Sequence, residues 1–154
     1  MSNADNPKIG ASFQEAVQQF FSNKYGPGFE LEQKLPIGSP PKDHKFDIVN
    51  FDKRIVVECK RFTWTETGNV PSAKIRTLNE AVLYLRLLQG NYEKFIVMYN
   101  AHHPKKRESL ADYYYRMNNH LLGKVILAEY DPDQNVFRII GQNDADIADD
   151  GFFE

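Results

Sequence analysis

Three charged residues stand where charge is costly. Asp47, Glu58 and Lys60 lie within or just after two short apolar runs, residues 46–51 and 54–59, which are rich in Ile and Val and separated by Asp52-Lys53. That is the pattern of a β-hairpin. Each run is apolar at both parities, so the hairpin is expected to be covered on both faces. Charges in such a place are unfavourable unless they pair with one another or hold a metal. With Asp52 and Lys53 as the two turn residues, Val49 faces Val56 and Asp47 faces Glu58. Facing residues share a side, with Cβ atoms about 4.5–5.5 Å apart. Lys60, two positions beyond Glu58, emerges on that side too. Two carboxylates and an ammonium then converge at the open end of the hairpin, where they could hold a divalent cation with a lysine beside it. The geometry depends on register, because a slip of one residue sends Asp47 to the other face. The competing reading is structural: a Glu58–Lys60 ion pair, with Asp47 capping a strand.

The elements that must position these residues alternate along the chain. Phe13, Ala16, Val17, Phe20 and Phe21 form one helical stripe over residues 10–24, closed by Tyr25-Gly26-Pro27-Gly28. Residues 29–37 alternate as a strand, broken by Gly38-Ser39-Pro40-Pro41. After the central hairpin comes a polar loop, 61–70, holding Trp64. Pro71-Ser72 opens a helix to about Gln89, with Ile75, Leu78, Val82, Leu85 and Leu88 on its core face and Gly90-Asn91 after it. Lys94 to Ala101 reads as a strand, 108–122 as a helix, and 124–130 with 135–140 as a second hairpin around Asp131-Pro132-Asp133-Gln134. The order α-β-β-β-α-β-α-β-β predicts an α/β fold, a mixed β-sheet flanked by helices on both faces.

Length and composition agree with one domain. The 154 residues are 42% apolar and 26% charged, ordinary for a globular chain. A single domain over 9–142 is expected, with 1–8 and 143–154 as flexible tails. One cysteine rules out an internal disulfide framework and fits a cytoplasmic protein. No apolar run is long enough to span a membrane. The net charge is −2, but residues 143–154 carry five acids and no base, so the rest of the chain is net positive. That tail reads as a solvated end or as a strand mimic over a basic cleft.

Asp47, followed after ten residues by Glu58-Cys59-Lys60, with a helix before and a helix after, resembles the PD-(D/E)xK superfamily of restriction-endonuclease-like nucleases over about residues 10–101. The resemblance implies that Asp47, Glu58 and the backbone carbonyl of Cys59 bind Mg²⁺ or Mn²⁺, and that Lys60 orients or deprotonates the attacking water. Oxygen ligands suit those ions better than zinc. Two departures stand out. Phe46 replaces the proline of the motif's name. The acid usual on the first helix, just after its aromatic anchor, is Gln14 here, because Glu15 lies nearly opposite the Phe13/Val17/Phe20 stripe. Gln14 can only support the metal ligands as a neutral neighbour.

DNA is the expected partner, and cutting both strands would need a homodimer or a partner subunit. Arg61, Trp64, Lys74, Arg76, Lys105 and Lys106 are the candidate nucleic-acid contacts: Trp64 as a stacking or wedging side chain, the cations on phosphates. Ordinary packing and a solvated face are the alternatives for each. His102-His103 lacks a second ligand cluster at zinc-like spacing, and no P-loop or Gly-x-Ser-x-Gly element is present. Two rival functions keep the same fold without cleavage: nucleic-acid binding alone, or protein assembly through the aromatic-rich helix 108–122.

Overall fold

The computed structural model describes residues 7–141, with the side chains of 7–9 left aside. Three helices, α1 (Pro7–Tyr25), α2 (Ser72–Arg86) and α3 (Leu110–Asn118), pack on one six-stranded sheet. Its strands are β1 (Phe29–Ile37), β2 (Lys42–Asn50), β3 (Ile55–Lys60), β4 (Glu93–Tyr99), β5 (Ile126–Asp131) and β6 (Val136–Gly141), and their spatial order follows their chain order. β1, β2 and β3 form an antiparallel meander, β3–β4 and β4–β5 are parallel, and β6 returns antiparallel. The α/β architecture with a mixed sheet is as expected. The expected acidic tail lies outside the described residues. No described helix is long and apolar enough to cross a membrane.

Two successive crossovers, β3-α2-β4 and β4-α3-β5, step the same way along the sheet. Connections of one hand therefore put α2 and α3 on the same face. Leu78, Val82, Leu85, Leu110, Ala111 and Tyr114 pack there against Val49, Val56, Ile96, Met98 and Leu127. Among the described residues, helix α1 alone covers the other face, setting Phe13, Val17 and Phe21 against Ile48, Ile55, Val57, Phe95 and Val97. One helix suffices because its stripe is aromatic. The Phe21 ring lies 5.2 Å from that of Phe95 and 5.7 Å from that of Phe137, and it touches Tyr25 and Phe29 as well. Phe21→Ala is expected to cost about 3–5 kcal/mol of unfolding free energy, read from urea denaturation. A loss below about 1 kcal/mol would mean that this layer does not hold α1 down.

Several boundaries differ from the pattern, each for a physical reason. Helix α1 begins at Pro7 rather than near residue 10, and proline suits a first turn where no amide is needed. Helix α2 stops at Arg86, short of Gln89, because Leu88 leaves the helix to bridge Ile37 of β1. Helix α3 starts at Leu110, where Ser109 and Asp112 form a capping box, and it tightens into a 3-10 turn at 119–121 instead of continuing to 122. Strand β5 starts at Ile126, not 124.

Candidate active site

Strands β2 and β3 pair as Ile48↔Val57, Val49↔Val56 and Asn50↔Ile55, the register expected for the central hairpin. Its loop is longer than the two residues expected. Phe51–Arg54 form a four-residue turn in which Asn50 Oδ1 accepts from the Lys53 amide and Arg54 takes a φ of 56°. A loop longer by one residue on each side keeps the register, so Val49 still faces Val56.

Above Ile48↔Val57 the ladder stops, and the two acids take over. The Asp47 amide donates to Glu58 Oε1 at 3.0 Å, and the Cys59 amide donates to Asp47 Oδ2 at 2.8 Å. Each carboxylate thus caps the strand that carries the other. Simple alternation does not give this arrangement. Phe46 and Ile48, which an unbroken strand would point the same way, pack in opposite core layers. The face switches at Asp47, where the β1–β2 ladder skips from Leu31↔Ile48 to Gln33↔Phe46 and the skipped β1 residue, Glu32, has a φ of 54°. A non-glycine residue in that region turns the strand locally. Asp47 is thereby directed sideways, toward β3, where Glu58 waits.

Glu58 is only 7% exposed. Burial, and then the Asp47 carboxylate, push its pKa up to about 8, against the opposing pull of Lys60. Burial also raises Asp47, which Cys59 and Lys60 partly offset. Burial and the neighbouring carboxylates hold the Cys59 thiol well above its ordinary range, so only its backbone has a role in prospect. Two acids that resist ionising side by side are in surroundings that a cation would relieve.

The donor set fits a hard divalent ion. Asp47 Oδ1 and Glu58 Oε2 accept no hydrogen bond among the described residues, while their partner oxygens are taken by amides. The N–H and C=O of one strand residue point to the same edge, so the Cys59 carbonyl faces the gap that its amide spans. Among the described residues, no three His, Cys, Asp or Glu side chains gather in one place. Two carboxylates and a carbonyl leave the remaining positions to water, as Mg²⁺ prefers.

Lys60 ends β3, in register with Met98, half-buried and electrostatically coupled to both acids. Its Nζ lies 5.9 Å from the centre of the Phe62 ring, which Lys74 Nζ approaches to 5.4 Å. Gln14 donates from Nε2 to the Asp47 carbonyl at 3.1 Å, fixing the backbone at the break, while Glu15 is exposed.

The other candidates divide. Arg61 stacks 3.8 Å over Tyr99 on the α1 side of the sheet. Arg76, Lys105 and Lys106 are exposed. Trp64 is a strut: its indole N–H donates to the Ala101 carbonyl at 3.0 Å, and its ring meets His103 and Tyr113 edge-on. His103 clasps two loops. Its Nδ1 accepts from the amides of Lys105 and Lys106, which leaves Nε2 to donate to the Gly68 carbonyl at 2.9 Å. Both ring nitrogens are used, which agrees with the case against a histidine metal pair. In α3, Tyr114 is buried with its hydroxyl on Asn79, and Tyr113 and Tyr115 pack on the core.

Periodicity does not single out the far half of the β1–β2 hairpin, where Lys34 and Lys45 stand directly opposite each other. Their alternation with apolar residues signals a strand and no more. Comparison of the chain with protein-family models, with curated proteins and with solved structures finds no match in any of the three.

Proposed function

We propose that this chain is a Mg²⁺-dependent nuclease domain of the restriction-endonuclease-like type, hydrolysing phosphodiester bonds in DNA. One observation carries the reading: Asp47 and Glu58 cap each other's strands at the point where β2 and β3 part, leaving one oxygen of each uncommitted. A structural ion pair would not need that arrangement, since Lys60 forms no contact within ion-pair distance of either acid among the described residues. When bound there, Mg²⁺ or Mn²⁺ would offset charge developing on the nonbridging oxygens and make a bound water acidic.

The chain's own part is positioning. Asp47 and Glu58 supply oxygens held rigid by the two amides, and the Cys59 carbonyl adds a third. Gln14 steadies the Asp47 backbone. Lys60, an ammonium beside the acids, orients the attacking water and offsets the negative charge it gains as its proton passes to bulk solvent. Calorimetric titration with Mn²⁺ should show binding to the wild type that Asp47→Ala removes, and the wild type should nick plasmid DNA in Mg²⁺. Failure of the wild type to bind Mn²⁺ overturns the proposal.

A second reading, nucleic-acid binding without cleavage, is favoured by Gln14, an amide where an acid would add another ligand. DNA binding that persists in EDTA, with no nicking in Mg²⁺ or Mn²⁺, would select it.

A further inference from the structure

Strand β2 outlives its pairing with β3. The β2–β3 ladder ends at Ile48↔Val57, whereas the β1–β2 ladder runs on to Ile37↔Lys42. Residues 32–47 therefore form a two-stranded arm that extends past the candidate site. One side of the arm is anchored on α2. Leu35 and Phe46 are buried there, His44 lies 4.3 Å ring to ring from Tyr84, and the Gly38 amide donates to the Leu87 carbonyl.

The opposite side is exposed, and its rungs read Lys34 with Lys45 and Pro36 with Asp43. Like charges directly opposed on one face destabilise a strand pair. The arm is already held by its apolar side, so its folding does not call for that rung. Lys45 Nζ reaches Glu32 Oε1 at 3.7 Å, but the two side chains are 58% and 60% exposed, which makes the pair weak. Lys34 has no ion-pair partner among the described residues. Lys45 is two residues from Asp47, about 7 Å along the strand, on the order of the step between successive phosphates.

We propose that the Lys34–Lys45 rung grips the nucleic-acid backbone one step from the scissile phosphate, the arm serving as a rail along which the cut strand lies. The inference rests on the nuclease reading and adds to it the surface that sets the strand's path. An anion between the two ammonium groups explains their apposition: it removes the repulsion, and it displaces Glu32 from Lys45.

The test is fluorescence anisotropy with a short labelled DNA duplex in Ca²⁺, over about 50–200 mM salt. The double variant Lys34→Gln/Lys45→Gln should bind more weakly, with the slope of log K against log salt smaller by about 2, one unit per lost phosphate contact. Mn²⁺ binding should stay at the wild-type level, and Tm should be unchanged or higher because repulsion is removed. Lys24→Gln/Lys53→Gln, which removes the same charge at the opposite end of the sheet, should leave the slope as it was. An unchanged slope in the arm variant overturns the inference, as does an equal fall in the control. Aggregation of the arm variant with its slope retained would also overturn it, by showing that the lysines only guard an exposed edge. In each of these cases Mn²⁺ binding by the wild type leaves the nuclease reading in place, whereas its absence brings down both.

Discussion

Lys60→Ala is expected to slow Mg²⁺-dependent cleavage about 10²–10³-fold, the range for loss of one positioned donor that stabilises developing negative charge, while the fold survives. Lys60 ends a strand, is half-buried, and makes no close ion pair that its removal would orphan among the described residues. Its contact with Phe62 is at the limit of a cation–π interaction, worth little when partly exposed. Stability should therefore change by about 1 kcal/mol or less. Divalent-ion affinity should hold or rise, since a positive charge has left the neighbourhood of the cation's ligands. Activity lost in the variant should recover in part as pH rises and hydroxide becomes available. Single-turnover nicking across a pH series, with Mn²⁺ calorimetry alongside, reads all of this. Wild-type cleavage by Lys60→Ala would remove the residue from the mechanism, and loss of folding would return it to a structural role.

The second large effect is on stability against pH. Glu58 in the folded chain, with a pKa of about 8, keeps a proton that the unfolded chain releases near 4.5. Between those values the folded state binds more protons, so its stability falls as pH rises and levels off above about 8. This is the reverse of the usual carboxylate, which strengthens a fold as it ionises. The contribution is on the order of a few kcal/mol for a group this buried. His44, whose pKa burial lowers, contributes the opposite slope at lower pH. The informative quantity is therefore the difference between wild type and Glu58→Gln, in which His44 is common to both. The variant should lose the decline between about pH 5 and 8 and be the more stable of the two at pH 8. Saturating Mg²⁺ should remove the decline in the wild type and release close to one proton per ion near neutral pH, measurable by titration in buffers of different ionisation enthalpy. If wild type and Glu58→Gln follow the same profile, Glu58 is not the strained acid that a cation would relieve.

Much of the site was legible from residue types and parity. Two apolar runs covered on both faces, with charges at fixed offsets, allow one register that keeps Ile48 and Val49 in separate core layers, and the pairs Ile48↔Val57 and Val49↔Val56 obey it. The order of helices and strands followed from the change of hydrophobic period along the chain. The four-residue turn is centred on the same Asp52-Lys53 pair as the expected two-residue turn, and a symmetrical lengthening of the loop does not alter the register of Val49 with Val56.

Other features depend on contacts that periodicity cannot report. Trp64 is committed to Ala101 and His103, which lie 37 and 39 positions away and meet it only after the sheet is assembled. Helix α2 ends early because Leu88 finds a partner in Ile37, a contact between distant segments. Lys34 and Lys45 look like scattered surface charge until β1 and β2 are paired.

The sequence by itself determined that Asp47 and Glu58 would meet at the end of a covered hairpin with Lys60 two positions beyond, since side-chain period and apolar coverage are local properties of the chain. Only the tertiary structure decided how they meet. The demand of α2 for Leu35 and Phe46, together with the positive φ of Glu32, turns the arm over at Asp47 and aims that carboxylate across the gap at the Cys59 amide. A strand's alternation yields to packing when a helix elsewhere in the fold offers its apolar side chains a better place.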